Sequence, residues 1–499
     1  MNNKYILSID QGTSGTTLLL VTTKGKIVYK YYQAFPQSYP KPGWVEHDPE
    51  TIWQTVRDGI KNILSLSWLQ EDEIKAIGIT NQRETVVVWD RQTGSPVYPA
   101  IVWQCRRTAN FCAKLSSEGL EPQVTKKTGL RLDPYFSATK IRWILDHVTG
   151  VPERAREGKI ACGTIDSWLI WKLTGGLSHV TDYSNASRTL LLNIHTKQWD
   201  LELLNNFDIP SSMLPEIKPS VGFFGETDTT LFKHPIPITG VLGDQQAALF
   251  GQGCLEPGTT KNTYGTGCFM LMNTGEKCFL PEYGLLTSIG WVIKDKITYI
   301  LEGSVFTGGA VVKWLRDKLE IIKDVAETET LAKKVTTTDG VYFVPAFTGL
   351  GTPHWDPYAR GIIIGLTSRT TKEHIVRAAL EGIAFQVKEV VDSMSKITKC
   401  KPKCLRVDGG AAANNFLLQF QSDICGIPIQ RNSSLELTGL GAAFVAGLGI
   451  GIWTNINEIK DLVQMEHLFE PKISVANRNK LCFDWLRAVR RSQSWVEQE

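Results

Sequence analysis

The opening of the chain constrains its fold more than any other stretch. Tyr5 to Ile9 reads as a buried strand that ends on an acid, Asp10. The chain then turns through Gly12 to Gly15 and resumes as the apolar run Leu18 to Val21; a second turn at Lys24-Gly25 leads into Ile27 to Tyr32. Strand, glycine turn, strand, turn, strand is a meander with a carboxylate at the end of its first strand, unlike the strand-turn-helix of a Walker loop. Ile52, Val56, Ile60 and Ile63 then recur at helical spacing within Thr51 to Leu64, and Ile74 to Ile79 returns to strand, so the class is α/β. Between them, Phe35 to Pro49 holds Tyr39, Trp44 and Val45, which predicts an ordered surface loop.

A chain of 499 residues exceeds what one core supports, so two or three domains are expected. Gly251, Gly253, Pro257 and Gly258 cluster ahead of a new strand pattern, Asn262 to Met272, and place a boundary between an N-terminal domain, residues 1–252, and a C-terminal domain, residues 253–499. The second half offers another strand at Leu405 to Val407, a turn at Asp408-Gly409-Gly410, and a helix from Ala413 to Ile424 with Phe416, Leu417, Phe420 and Ile424 on one face. A duplicated architecture is expected, without the fixed period of a solenoid. Leu437 to Trp453 carries no charge, but it is short of the roughly 20 residues a membrane span needs. Its many glycines predict a small-residue helix packed close against other backbone.

Lysine plus arginine exceed aspartate plus glutamate by 54 − 51 = 3, with no run of either sign, which argues against nucleic acid or a polybasic membrane surface as partner. The ten cysteines lack zinc-site spacing; Cys400 and Cys404 form only a CxxxC, and reduced thiols are expected. The apolar run that follows Met1, Asn2, Asn3 and Lys4 is too brief for a signal peptide, so a cytoplasmic protein without integral membrane association is expected.

Phosphoryl transfer asks for backbone donors around phosphates, a metal anchor and a base at the attacking hydroxyl. Three glycine turns can supply the cradle. They are Asp10-Gln11-Gly12-Thr13-Ser14-Gly15, then Tyr264-Gly265-Thr266-Gly267, and Asp408-Gly409-Gly410-Ala411, the last opening a helix whose N-terminal amides can face a nucleotide. Each alone is weak evidence, since most glycine turns between strands are only turns.

Their order, with the runs Tyr39-Pro40-Lys41-Pro42-Gly43-Trp44-Val45-Glu46-His47-Asp48, Thr80-Asn81-Gln82-Arg83-Glu84-Thr85, Trp103-Gln104-Cys105-Arg106-Arg107, Asp133-Pro134-Tyr135-Phe136-Ser137, Gly243-Asp244-Gln245-Gln246-Ala247 and Asn262-Thr263-Tyr264-Gly265-Thr266-Gly267-Cys268, resembles the FGGY carbohydrate kinase family from the first strand to about Trp453. The match is to the glycerol-phosphorylating branch, since other sugar kinases share mainly the glycine turns. The resemblance implies two actin-like ATPase (ribonuclease H-like) domains with an interdomain catalytic cleft, and transfer from Mg2+-bound ATP to glycerol. It implies that Arg83, Glu84, Tyr135, Asp244 and Gln245 bond the hydroxyls of glycerol while Trp103 and Phe269 pack on its carbons. Asp244 is implied as general base and, with Asp10, as an anchor for magnesium. Thr13, Ser14, Gly15, Thr266, Gly309, Lys313, Gly410 and Asn414 are implied to line the nucleotide. A triol has many hydroxyls and little apolar area, so carboxylates, a charged fork and aromatic walls suit it.

The chain departs from the family in places. Thr17 and Lys313 stand where many relatives carry arginine and glutamine, so nucleotide contacts are expected to differ. Gly222 precedes Phe223-Phe224 where phosphorylation-regulated relatives have histidine, and Thr227 to His234 lacks the arginine of a sugar-bisphosphate loop. Neither form of control is expected. The resemblance leaves a homo-oligomer open.

Overall fold

The computed structural model describes residues 4–497, so Met1, Asn2 and Asn3 lie outside them. The chain forms two compact units. One holds the chain up to Leu255 together with Thr287–Tyr299 and Glu436–Val463; the other holds Glu256–Leu286, Ile300–Leu435 and the chain from Gln464.

In the first unit the meander is present as strands Tyr5–Gln11, Gly15–Thr22 and Ile27–Ala34, paired antiparallel. Tyr5–Gln11 runs parallel to Ile74–Asn81, which in turn runs parallel to Pro237–Gly243. The registers align Gln11, Asn81 and Gly243 at one edge. Each strand's carboxyl end therefore delivers the next residues to the same place, and these are Gly12-Thr13, Gln82-Arg83-Glu84 and Asp244. Sites at the carboxyl ends of parallel strands are the rule in open α/β sheets.

Two helices cover this sheet. Pro49–Leu64, N-capped by Asp48, buries Ile52, Val56, Ile60 and Ile63 against Leu7, Ile9, Leu18 and Leu20, each side chain contributing roughly 1.5–3 kcal/mol. Leu437–Gly449, the uncharged segment, lies on the opposite face. Its approach is close enough that a Cβ on Gly78 would stand 2.2 Å from the Ala442 carbonyl oxygen, and one on Gly441 2.0 Å from that of Ala247. Among the described residues no helix is long and apolar enough to cross a membrane. A smaller sheet of Glu46–His47, Ala100–Ile101, Val86–Asp90 and Ile160–Thr164 carries the chain into and out of the segments around Glu84 and Trp103.

The second unit repeats the theme. Thr260–Tyr264 and Cys268–Gly275 pair antiparallel around the turn at Gly265–Gly267, where the Gly265 N–H donates to the Gly267 carbonyl at 2.9 Å. The first turn is closed in the same way, Gly12 N–H to Gly15 carbonyl at 2.9 Å. Thr260–Tyr264 also runs parallel to Leu405–Asp408, which runs parallel to Ile429–Asn432. The long helix Lys372–Thr398 and the helix Asn415–Cys425 bury their apolar faces on this sheet. The third glycine turn differs from expectation. A 3-10 turn, Gly410–Ala413, intervenes, and the helix begins only at Asn415 with Asn414 as its cap.

Candidate active site

In the first unit Asp10 stands opposite Thr17 and Thr80 near the end of its strand. Burial pushes its carboxyl up to about 8; the charges of Asp244 and Glu436 add to the shift and Lys30 opposes it. Asp10 and Asp244 therefore repel across one space. Asp244 opens the helix Asp244–Gly251, and its Oδ1 lies 3.2 Å from Arg83 Nε.

Arg83 and Glu84 are a buried pair, 2 % and 1 % exposed, and so are not an ordinary surface ion pair. Arg83 Nη1 also donates to Gln246 Oε1 at 3.2 Å. Glu84 adopts φ +60°, a backbone state that is uncommon for a residue with a side chain and costs on the order of 1 kcal/mol. The strain is held by buried partners: Arg188 Nε donates to Glu84 Oε1 at 2.6 Å and Ser137 Oγ to the Glu84 carbonyl at 3.2 Å. Arg188 is itself fully buried, its guanidinium over the rings of Tyr135 and Phe136.

Trp103 and Tyr135 meet edge to face, ring centroids 5.6 Å apart, and form an aromatic corner beside these charges. Tyr135 is aimed by its neighbours. Asp133 Oδ1 accepts its N–H at 2.8 Å, and Lys140 Nζ donates to the Phe136 carbonyl at 2.9 Å. Burial lowers the Lys140 ammonium to about 8, with Glu84 and other anions opposing. Trp103 Nε1 also donates to Thr13 Oγ1 at 2.9 Å, tying the aromatic corner to the first glycine turn. Ser14 is exposed, Gln245 half-buried, and Gly15 buried at the start of its strand.

In the second unit Thr266, Gly309, Lys313, Gly410 and Asn414 line one cavity of about 550 Å³, together with the apolar Val312, Leu380 and Leu417. An apolar slot with glycine turns at its rim fits a nucleoside. Gly409 makes the rim possible: its φ is +89°, and a Cβ there would stand 2.5 Å from the Tyr264 carbonyl oxygen. Lys313 is exposed on the helix Ala310–Asp317. Phe269 is half-buried, pairs with Thr263, and is not among the cavity's lining residues.

Side chains already meet two of the amides at the helix start. The Asn415 N–H donates to Glu329 Oε2 at 2.8 Å and the Leu417 N–H to Asn414 Oδ1 at 3.0 Å, so side chains already take these first-turn donors. Asn414 Nδ2 donates to Thr328 Oγ1 at 3.1 Å.

Sequence reasoning missed Arg188, Gln246, Lys140 and Gln82 as parts of this constellation. Gln246 and Gln82 lie inside the runs that carry the family resemblance; a lone arginine or lysine, such as Arg188 or Lys140, carries no periodic signal.

Comparison with known proteins settles the relationship. Residues 5–251 match the N-terminal domain, and residues 260–450 the C-terminal domain, of the FGGY family of carbohydrate kinases. The chain belongs to this family. It is 54% identical to the glycerol kinase of Carboxydothermus hydrogenoformans over 500 residues and 55% identical to that of Pseudothermotoga lettingae over 498, covering 100% of both chains in each case. Among solved structures it is similar to a Plasmodium falciparum glycerol kinase with ADP, TM-score 0.93 at 40% identity over 99% of each chain. Its fold is also similar to that of a gluconate kinase from Lactobacillus acidophilus, TM-score 0.89 at 24% identity over 98% of each chain. The fold alone therefore does not choose the acceptor.

Proposed function

We propose that the protein transfers the γ-phosphoryl group of ATP to a terminal hydroxyl of glycerol, giving sn-glycerol 3-phosphate, in the cytoplasm. The observation that carries this reading is the buried Arg83–Glu84–Arg188 cluster facing Asp244 beside the Trp103–Tyr135 corner. Charged groups beside an aromatic corner suit a small triol, whose hydroxyls can bond carboxylate and guanidinium while its carbons meet the rings. The full-length similarity to glycerol kinases supports the same acceptor.

Asp244 accepts the proton of the attacking hydroxyl, while Arg83, 3.2 Å from its Oδ1, holds the carboxylate in place. Glu84, Arg83, Tyr135 and Gln245 orient the alcohol; Trp103 walls its carbons, a role also assigned to Phe269. Thr13 and Ser14 donate to phosphate oxygens with the turn that ends at Gly15, and Thr266, Gly309, Lys313, Gly410 and Asn414 surround the nucleoside. The donor set also fits magnesium, which takes one or two carboxylates with phosphate and water oxygens; Asp10 and Asp244, each raising the other's cost of ionisation, are such carboxylates. When bound, the ion neutralises charge on the phosphates.

ADP release measured with glycerol, xylulose, gluconate and no acceptor tests the proposal. Release with glycerol at least tenfold above the other three is expected; equal or greater release with a sugar overturns it.

A further inference from the structure

Gln82 leaves the strand Ile74–Asn81 just before Arg83 and is buried. Its backbone N–H donates to the Gln11 carbonyl at 2.7 Å, and its Nε2 to Gln11 Oε1 at 3.0 Å and the Gly12 carbonyl at 3.3 Å. Its Oε1 accepts the Thr85 hydroxyl at 2.9 Å. Thr85 Oγ1 accepts the Trp103 backbone N–H at 3.2 Å, and Trp103 Nε1 donates to Thr13 Oγ1 at 2.9 Å. The chain from Thr13 back through Gly12 and Gln11 closes a ring of hydrogen bonds, all within the first unit. The ring joins the phosphate turn to the segment that carries Arg83 and Glu84.

One bond of the ring has a fixed direction. An indole N–H only donates, so the Thr13 oxygen must accept. The hydroxyl's own proton is then left to donate elsewhere, and no other hydrogen bond of this hydroxyl exists among the described residues.

We propose that Trp103 is a positioning residue for the phosphoryl donor as well as a wall for the acceptor. Its N–H presets the Thr13 hydroxyl to donate to a phosphate oxygen, and its ring, ordered by the alcohol's carbons, couples acceptor binding to nucleotide binding through the Gln82 ring. The inference rests on the proposed glycerol kinase reading. Coupling between two ligands is reciprocal, and one neutral hydrogen bond held in register is worth about 2–10-fold in affinity.

The test is calorimetric binding of the non-hydrolysable β,γ-imido analogue of ATP with magnesium, with and without saturating glycerol. Glycerol should tighten analogue binding about 2–10-fold in the wild type. Trp103→Phe keeps an aromatic wall and deletes the N–H, and the tightening should vanish. Gln82→Leu cuts the ring at a residue assigned no ligand contact and should also abolish the tightening. Thr13→Val added to Trp103→Phe should weaken the analogue through loss of the hydroxyl but leave the glycerol-dependent tightening no smaller, because the tightening runs through the one Trp103–Thr13 bond. Wild-type coupling retained in Trp103→Phe, additive effects of the two changes on the tightening, or no coupling in the wild type overturns the inference. If Trp103→Phe fails to fold, judged by its thermal melt, Gln82→Leu and the isosteric Gln82→Glu decide it alone. A wild type that does not phosphorylate glycerol overturns the functional reading instead.

Discussion

Gly441→Ala turns the close approach of two helices into a measurable strain on the base. The added methyl would stand 2.0 Å from the Ala247 carbonyl oxygen and 2.7 Å from its carbon, against an ordinary C···O contact of about 3.3 Å. The helices Leu437–Gly449 and Asp244–Gly251 must therefore part by about 1 Å, and the obstacle is backbone, which cannot rotate away. Overpacking of this kind costs about 1–3 kcal/mol or somewhat more, while alanine returns about 1 kcal/mol of helix propensity. A net loss near 1 kcal/mol is expected, a fall in Tm of at most about 2–4 °C for a unit of this size. Ala247 lies one turn from Asp244, so the same displacement moves the base, and a 1 Å error can lower turnover up to about 10²-fold. Differential scanning calorimetry and steady-state kinetics read both effects. Gly222→Ala is the control, because its Cβ would meet nothing nearer than the Pro219 carbonyl at 3.6 Å. Unchanged Tm and turnover in Gly441→Ala would refute the reasoning.

Asp244→Asn keeps the shape and removes proton acceptance, so kcat should fall by about 10²–10⁴ with a smaller change in glycerol affinity; near-normal turnover in a stopped assay sinks the assignment. 1,3-Propanediol leaves buried charges without the middle hydroxyl and should be poorer than glycerol by orders of magnitude, up to about 10⁴ in kcat/KM; equal values count against Glu84 and Arg83 as its readers. Arg188→Met strands Glu84 beside Arg83 at 3.8 Å and should lower stability by about 3 kcal/mol in urea titration, a change below about 1 kcal/mol contradicting the buried pair. Burial, then the charge of Asp182, raises buried Asp166 to about 7 against the hydroxyls of Thr164 and Thr181. The unfolded chain loses this proton near pH 4 and the folded chain keeps it until near 7, so its contribution falls as pH rises across that window. Asp166→Asn should flatten that fall in stability; an unchanged slope would show that the group ionises normally.

Much of the first unit was legible because its signals are local. The meander, the turn glycines and the helix Pro49–Leu64 follow from alternation, φ and apolar spacing in adjacent residues. The helix Leu437–Gly449 was legible as small and close-packed, but no local pattern tells which sheet it covers. The start at Asn415 was misread because Ala411, Ala412 and Ala413 have high helix propensity, yet the bonds from Glu329 and Asn414 set the terminus from outside. Residues of the site appeared only through resemblance, since nothing in the spacing of Arg83, Tyr135 and Asp244 says that they converge. Arg188 stayed hidden for the same reason: its partner Glu84 lies far away in sequence.

The first unit's sheet is covered by a segment that leaves the ribosome late. Between the synthesis of Leu255 and that of Gly449 lie 449 − 255 = 194 residues, roughly 10–40 s of elongation at about 5–20 residues per second. For that interval the helix that packs on Gly78 and Gly240 does not yet exist to cover them. An N-terminal fragment ending at Leu255 would be frozen in that state. The late helix separates in time the making of the first unit's sheet from the making of its cover.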